Sequence, residues 1–192
     1  MCEDTDDIHV ISISFQSFGY SPHDNGFCQL AASVVSMDGK VTRLFNYYAK
    51  QNGYTQNEEC IKEQWNEERY NHVTKRTTES TLDPYEVAKI FITWVTPYLR
   101  NCYCISENAF WDTMMLSHFL RGVIPFRMID ASSYYYGMGY RQYHLGMPAK
   151  ATALRSLRAR PPSLLPNTNN DAKITCINTG LIWVYIQKHL QC

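Results

Sequence analysis

The chain has 192 residues, 45% hydrophobic and 19% charged, with 18 basic residues against 18 acidic ones. That length and apolar content suit one globular domain over residues 1–192 and exclude wholesale disorder, while zero net charge excludes a global field drawing the protein to nucleic acid or an anionic membrane. The acidic opening, Met1 to Asp7, reads as a disordered tail instead of a targeting peptide, and no apolar run reaches the ~18 residues of a membrane span, so a soluble intracellular protein without a membrane partner is expected.

Seven cysteines, an odd number with no Cys-x-x-Cys pair, argue for reduced thiols over a disulfide framework. Cys102-Tyr-Cys104 puts two sulfurs on one face of an expected strand, where buried free cysteine is the commoner role and a zinc site the rarer one.

In chain order, Ile8–Gln16 alternates apolar and polar residues as a strand does, and Phe27–Ser36 and Val41–Tyr48 form two more. Asp38-Gly39 between the latter two marks a hairpin in which both turn positions are expected to take positive φ. An antiparallel meander therefore opens the chain. Gln51–Ser80 is polar, with an amphipathic stretch over Ile61–Tyr70, and reads as a loop plus one short helix.

Asp83-Pro84-Tyr85-Glu86 combines an N-cap acid, proline in the first turn and glutamate three residues after the cap. The helix behind it buries Val87, Ile90, Phe91, Trp94, Val95 and Tyr98. A strand over Cys102–Ser106 follows, then a helix from near Phe110 with Met114, Met115, His118 and Phe119 on one face, and a strand over Phe126–Ile129. Pro148–Arg160 reads as helical. Asn167–Asp171 caps a last helix whose expected inner stripe is Ile174, Ile177, Leu181 and Tyr185. The pattern predicts an α/β fold: a mixed sheet of three antiparallel and then parallel strands, flanked by helices.

Three stretches carry a family resemblance. The first strand ends Ser14-Phe-Gln16-Ser-Phe-Gly19; the strand over Cys102–Ser106 leads into Asn108-Ala-Phe-Trp111-Asp112; the last helix begins Asn170-Asp-Ala-Lys-Ile-Thr175. In element order and motif spacing the chain resembles the ribonuclease-H-like DEDD 3′–5′ exonucleases, with the ribonuclease-T-like and mycobacterial-type exoribonuclease branches nearest. The resemblance implies that Asp112 stands for a metal-binding acid. It also implies that Ser14, Gln16 and Thr175 stand where that family carries acids, and Asn170 where it carries its histidine base.

Two-metal phosphodiester cleavage needs several carboxylates around Mg²⁺ or Mn²⁺, because hard cations demand anionic oxygen. One aspartate is too few, and an amide does not titrate near neutral pH. The expectation is a catalytically degenerate exonuclease-fold protein that needs no cofactor and binds single-stranded RNA or DNA, or a protein partner.

Two alternatives stay open. Asp24, Glu107, Asp130 and Asp171 could assemble around Asp112 into a working Mg²⁺- or Mn²⁺-dependent nuclease, or the fold could serve as an interaction module, such as a viral factor, that touches no nucleic acid. Candidate nucleic-acid contacts are Trp111, Tyr135 within the run Tyr134 to Tyr143, and the basic stretch Lys150, Arg155, Arg158 and Arg160. Each has a plainer reading, as core aromatics or as a solvated helix face.

Overall fold

The computed structural model describes residues 8–137 and 171–190. The expected tail, the helix over Pro148–Arg160 with its four cations, Tyr140, Tyr143 and Asn170 lie outside the described residues.

Three strands, β1 (His9–Gln16), β2 (Gln29–Ser36) and β3 (Val41–Tyr48), form the antiparallel meander. β4 (Cys102–Ser106) lies parallel beside β1 and β5 (Met128–Asp130) parallel beside β4, giving the sheet order β3-β2-β1-β4-β5. The mixed α/β sheet read from the sequence is the sheet observed. β5 is shorter and later than the expected Phe126–Ile129, because only three residues find partners on β4.

The β2–β3 turn departs from expectation. Gly39 alone takes a left-handed φ, of 86°, and its N–H donates to Ser36 O at 2.9 Å, while Asp38 keeps negative φ and pairs with Lys40 at 2.8 Å. One glycine supplies the reversal, and register then slips between Val34 and Val35.

The polar segment after β3 contains two helices instead of one: α1 (Glu58–Gln64) and α2 (Glu67–Glu79). Asn57 and Asn66 each accept a backbone N–H three residues on, from Cys60 and Arg69 at 2.9 and 2.8 Å. The second asparagine restarts the helix, which is why the single amphipathic stretch over Ile61–Tyr70 is split at Trp65.

α3 (Pro84–Val95) carries the complete capping box of Asp83 and Glu86 and passes at Thr96 into a 3₁₀ turn, Thr96–Asn101. It packs with α4 (Ala109–Leu120) on one face of the sheet, over Ile11, Ile13, Phe15, Leu30, Val34 and Phe45. α4 turns Ala109, Asp112, Met115, Leu116 and Phe119 inward, while Met114 and His118 of the expected stripe are only half-buried.

Behind β5 come α5 (Ala131–Gly137) and, on the other sheet face, α6 (Ala172–Leu190). Asp171 caps α6, accepting from the N–H of Lys173 at 2.7 Å. The expected inner stripe of α6 is corrected in part: Ile177 is buried as expected, but Ile174, Leu181 and Tyr185 are half-buried, and the helix lays Ala172, Cys176, Gly180 and Trp183 inward. The sheet face beneath is built from small residues, Ser12, Ala31 and Ser33 among them, so close backbone approach replaces large side chains there. Among the described residues no helix is long and apolar enough to cross a membrane.

Candidate functional site

A cleft of about 450 Å³ opens at the carboxyl ends of β1 and β4, where open α/β sheets commonly bind ligands. Ser14 and Gln16 of β1, Trp111 and Asp112 of α4, and Thr175 of α6 all line it. Tyr20, Gln64, Glu107 and Asn108 complete the walls, of which the sequence reading had singled out only Glu107, as a possible metal ligand, and Asn108, as part of a motif. One lip is fixed by Gly19, where an added Cβ would fall 2.1 Å from the side chain of Asn25, and by Tyr20, whose hydroxyl donates to Glu63 at 2.8 Å.

Asp112 sits in the first turn of α4, 4% exposed, and both of its oxygens are engaged inside the protein. Oδ1 accepts the N–H of Phe15 at 3.3 Å, and Oδ2 accepts from the hydroxyl of Ser106. The carboxyl therefore ties the end of β1 to the end of β4. Burial dominates its acidity: despite the two hydrogen bonds, loss of solvation pushes its pKa up to about 8, with the charges of Glu107 and Asp130 adding to the rise.

Gln16 is likewise engaged. Its Oε1 accepts from Arg69, a buried residue of α2 whose guanidinium stacks 3.9 Å from the ring centroid of Trp65 and donates to the carbonyl of Gln64 at 3.2 Å. Burial holds the Arg69 guanidinium below its ordinary range, although the Asp171 carboxylate opposes this. Nothing in the sequence links Arg69 to Gln16, which precedes it by 53 positions, and periodicity could not have found the pair.

Of the other candidate acids, Glu107 lines the cleft, and Asp130, Asp171 and Asp24 are spent on local structure. Asp130 accepts from Ala109 N–H at 2.9 Å and Ser133 N–H at 2.6 Å, and so caps the starts of α4 and α5. Asp171 caps α6, and Asp24 sits in the exposed loop after β1, 3.0 Å from His23. Among the described residues, no group of three or more His, Cys, Asp or Glu could hold a metal ion. The donor set does not fit a pair of hard divalent cations: Ser14, Gln16 and Thr175 are neutral, Asp112 is buried with both oxygens bonded and its ionised form disfavoured, and Glu107 alone is too few.

A second hollow, of about 480 Å³, lies at the start of α6 and is lined by His72, Arg76 and Lys173 with Asn46, Tyr48 and Asp171. Of the expected tyrosine cluster, Tyr134 packs 4.6 Å from Trp183 and accepts from Gln187 at 3.1 Å, a structural placement; Tyr135 falls within α5.

No protein-family model matches this chain, and no curated protein matches it in sequence. Solved structures do. The nuclease domain of 3′hExo, a DEDDh family member bound to rAMP, superposes with a TM-score of 0.59 at 14% identity, covering 99% of this chain and 94% of that one. A full-length 3′-exonuclease superposes at 0.67 and 11% identity, covering 98% and 62%. The chain has the ribonuclease-H-like exonuclease fold. E. coli Exonuclease I in complex with a dT13 oligonucleotide is also similar, at 0.67 and 10% identity, with this chain spanning 42% of its length.

Proposed function

We propose that this protein binds single-stranded nucleic acid in the β1–β4 cleft and does not hydrolyse it. The observation that carries this reading is the state of Asp112: the single acid at a matched catalytic position borders the cleft but is 4% exposed, with its two oxygens taken up by Phe15 N–H and the Ser106 hydroxyl. Binding is supported by what the cleft retains. Trp111, Tyr20, Asn108 and Gln64 offer aromatic surface and neutral hydrogen-bonding groups suited to an unpaired base and its sugar.

Phosphate needs cations, and the cleft walls provide none. The hollow at the start of α6 does, through Arg76 and Lys173, and Thr175 of the cleft stands one residue beyond Ile174 of the hollow. A strand whose 3′ end enters the cleft could run its backbone over this second surface. Similar structures have been solved with rAMP and with a dT13 oligonucleotide, which is compatible with a nucleotide-sized cleft here.

The test is incubation of the full chain with labelled single-stranded RNA and DNA, with and without Mn²⁺. Retention of the oligonucleotide at unchanged length is expected. Metal-dependent shortening that disappears in Asp112→Ala would overturn the non-hydrolytic part, and failure to retain either nucleic acid would overturn the binding part.

A further inference from the structure

Directly behind Gln16 and Gln64 of the cleft lining stands a buried cation. Arg69 is 5% exposed, keeps its charge at neutral pH, and forms no ion pair among the described residues. Its guanidinium is met by the face of Trp65, the Gln64 carbonyl and Gln16 Oε1, all of them neutral. A ring face and two dipoles offset only part of the cost of taking a charge out of water. Asp171 acts on Arg69 from farther away, but its Oδ1 is engaged by the N–H of Lys173 at the start of α6.

Arg69 also decides what Gln16 shows to the cleft. An arginine only donates, so it must meet the carbonyl end of the Gln16 amide, and the NH₂ end is the one turned away from it. Gln16 lines the cleft, and among the described residues this NH₂ makes no hydrogen bond. Two residues back, on the same face of β1, Ser14 also lines the cleft. It is 7% exposed, and its hydroxyl likewise has no partner among the described residues. Where the family resemblance places acids, which accept, this strand end donates.

The ligand group that suits such a place is rich in acceptors and negatively charged. An internal phosphate of a strand carries one charge and is esterified on both sides, whereas a terminal phosphate carries about −1.5 to −2 at neutral pH on three acceptor oxygens. A terminal phosphate can also enter the cleft end-on. Of the carboxylates on the lining, Asp112 has both oxygens engaged, and Glu107 works against an anion.

We infer that the cleft selects a strand end bearing a terminal phosphate, which is held by the Ser14 hydroxyl and the Gln16 amide. Arg69 is the positioning residue: it turns the amide and supplies the charge behind it. This rests on the reading that single-stranded nucleic acid enters the cleft, and it adds the chemistry of the end that is chosen. No bond is made or broken.

The test is fluorescence anisotropy of the full chain with one internally labelled single-stranded oligonucleotide in three forms: unphosphorylated, 3′-phosphorylated and 5′-phosphorylated. One phosphorylated form is expected to bind about 10-fold more tightly than the unphosphorylated one, and its identity names the end that enters. In Gln16→Glu, whose carboxylate takes up Arg69 and faces the phosphate, that ratio is expected to fall towards equality. Arg69→Met, measured below its melting transition, is the second arm; a merely structural role for Arg69 would weaken all three forms alike and leave the ratio standing. Glu107→Gln is expected to raise the ratio. Equal binding of the three forms by the wild type overturns the proposal and leaves the nucleic-acid reading intact, whereas binding of none overturns both. A preference that survives in both Gln16→Glu and Arg69→Met places the phosphate elsewhere and also overturns it.

Discussion

Arg69 donates a hydrogen bond to Oε1 of Gln16, joining α2 to the last residue of β1. A cation already stands behind the strand end, so putting acid back there does not recreate a metal ligand. Gln16→Glu is expected to form an ion pair with Arg69 and to show no Mn²⁺-dependent rise in melting temperature. In the triple variant Ser14→Asp, Gln16→Glu, Thr175→Asp, any Mn²⁺-dependent rise should grow when Arg69→Met is added, because the competing guanidinium is gone. Arg69→Ala in the otherwise unaltered chain loses both the stacking on Trp65 and the partner of Gln16, and urea unfolding should show a loss of about 2–3 kcal/mol. A Mn²⁺ response in Gln16→Glu alone counts against the arrangement.

Asp112 makes stability depend on pH in an unusual direction. Its native pKa of about 8 lies above the ordinary carboxylate value of 3.8, so the folded state holds this proton more tightly than the unfolded state does. Its favourable contribution is complete below the unfolded value and is lost as pH rises towards 8. Asp112→Asn reproduces the protonated group, since the amide can still accept from Phe15 N–H and can donate to Ser106. The difference in melting temperature between Asp112→Asn and wild type should therefore move in the variant's favour as pH is raised from 5 to 8. Asp112→Ala leaves the buried Phe15 N–H without its acceptor and should cost about 1–3 kcal/mol across that range. A pH-independent difference for Asp112→Asn would mean that the carboxyl is ionised throughout.

The parts legible in the sequence were those governed by local rules. β1 follows from alternation, β2 and β3 from the Asp38-Gly39 turn between two runs, β4 from a short apolar run, and α3 from its capping box, because these signals lie within a few residues of the element they define. The positions that meet at the cleft, Ser14, Gln16, Asp112 and Thr175, were reachable through the family resemblance, whose motifs fall near element ends. What stayed hidden depends on distance along the chain: Arg69 against Gln16, and the Phe15 N–H held by Asp112. Of the expected inward face of α6 only Ile177 is fully buried, because hydrophobic periodicity assumes that large side chains fill the gap. Here Gly180 sits where an added Cβ would come within 2.8 Å of Val35, and the backbone itself does the filling.

That close approach is directly testable. Gly180 is helical and buried, and its neighbours on the sheet are Val35, Ser12 and Ser33. In an exposed helix, glycine to alanine would stabilise by roughly 0.5–1 kcal/mol. Here the new methyl must push α6 away from the sheet, and overpacking of this kind costs about 1–3 kcal/mol. Gly180→Ala is expected to lower stability in urea unfolding, with Val35→Ala recovering part of the loss by making room. Stabilisation by Gly180→Ala alone would show that α6 is not seated this closely.

The proposed binding surface divides into a stacking part and an electrostatic part, and salt separates them. Trp111 is half-buried at the cleft and also packs against the main core, so Trp111→Ala is expected to lower the melting temperature, and its binding is measured well below that transition. Loss of one base-stacking ring is worth about 1–3 kcal/mol, which corresponds to roughly 5- to 150-fold weaker retention of a single-stranded oligonucleotide at any fixed salt concentration. Arg76 and Lys173 line the hollow beside α6 and would act through phosphate. Arg76→Glu and Lys173→Glu should weaken binding of all sequences alike and each flatten the slope of log affinity against log salt by about 0.7. Trp111→Ala should leave that slope unaltered. If charge reversal at both positions leaves the slope unchanged while binding persists, the backbone follows a different path across the protein and the hollow is not part of it.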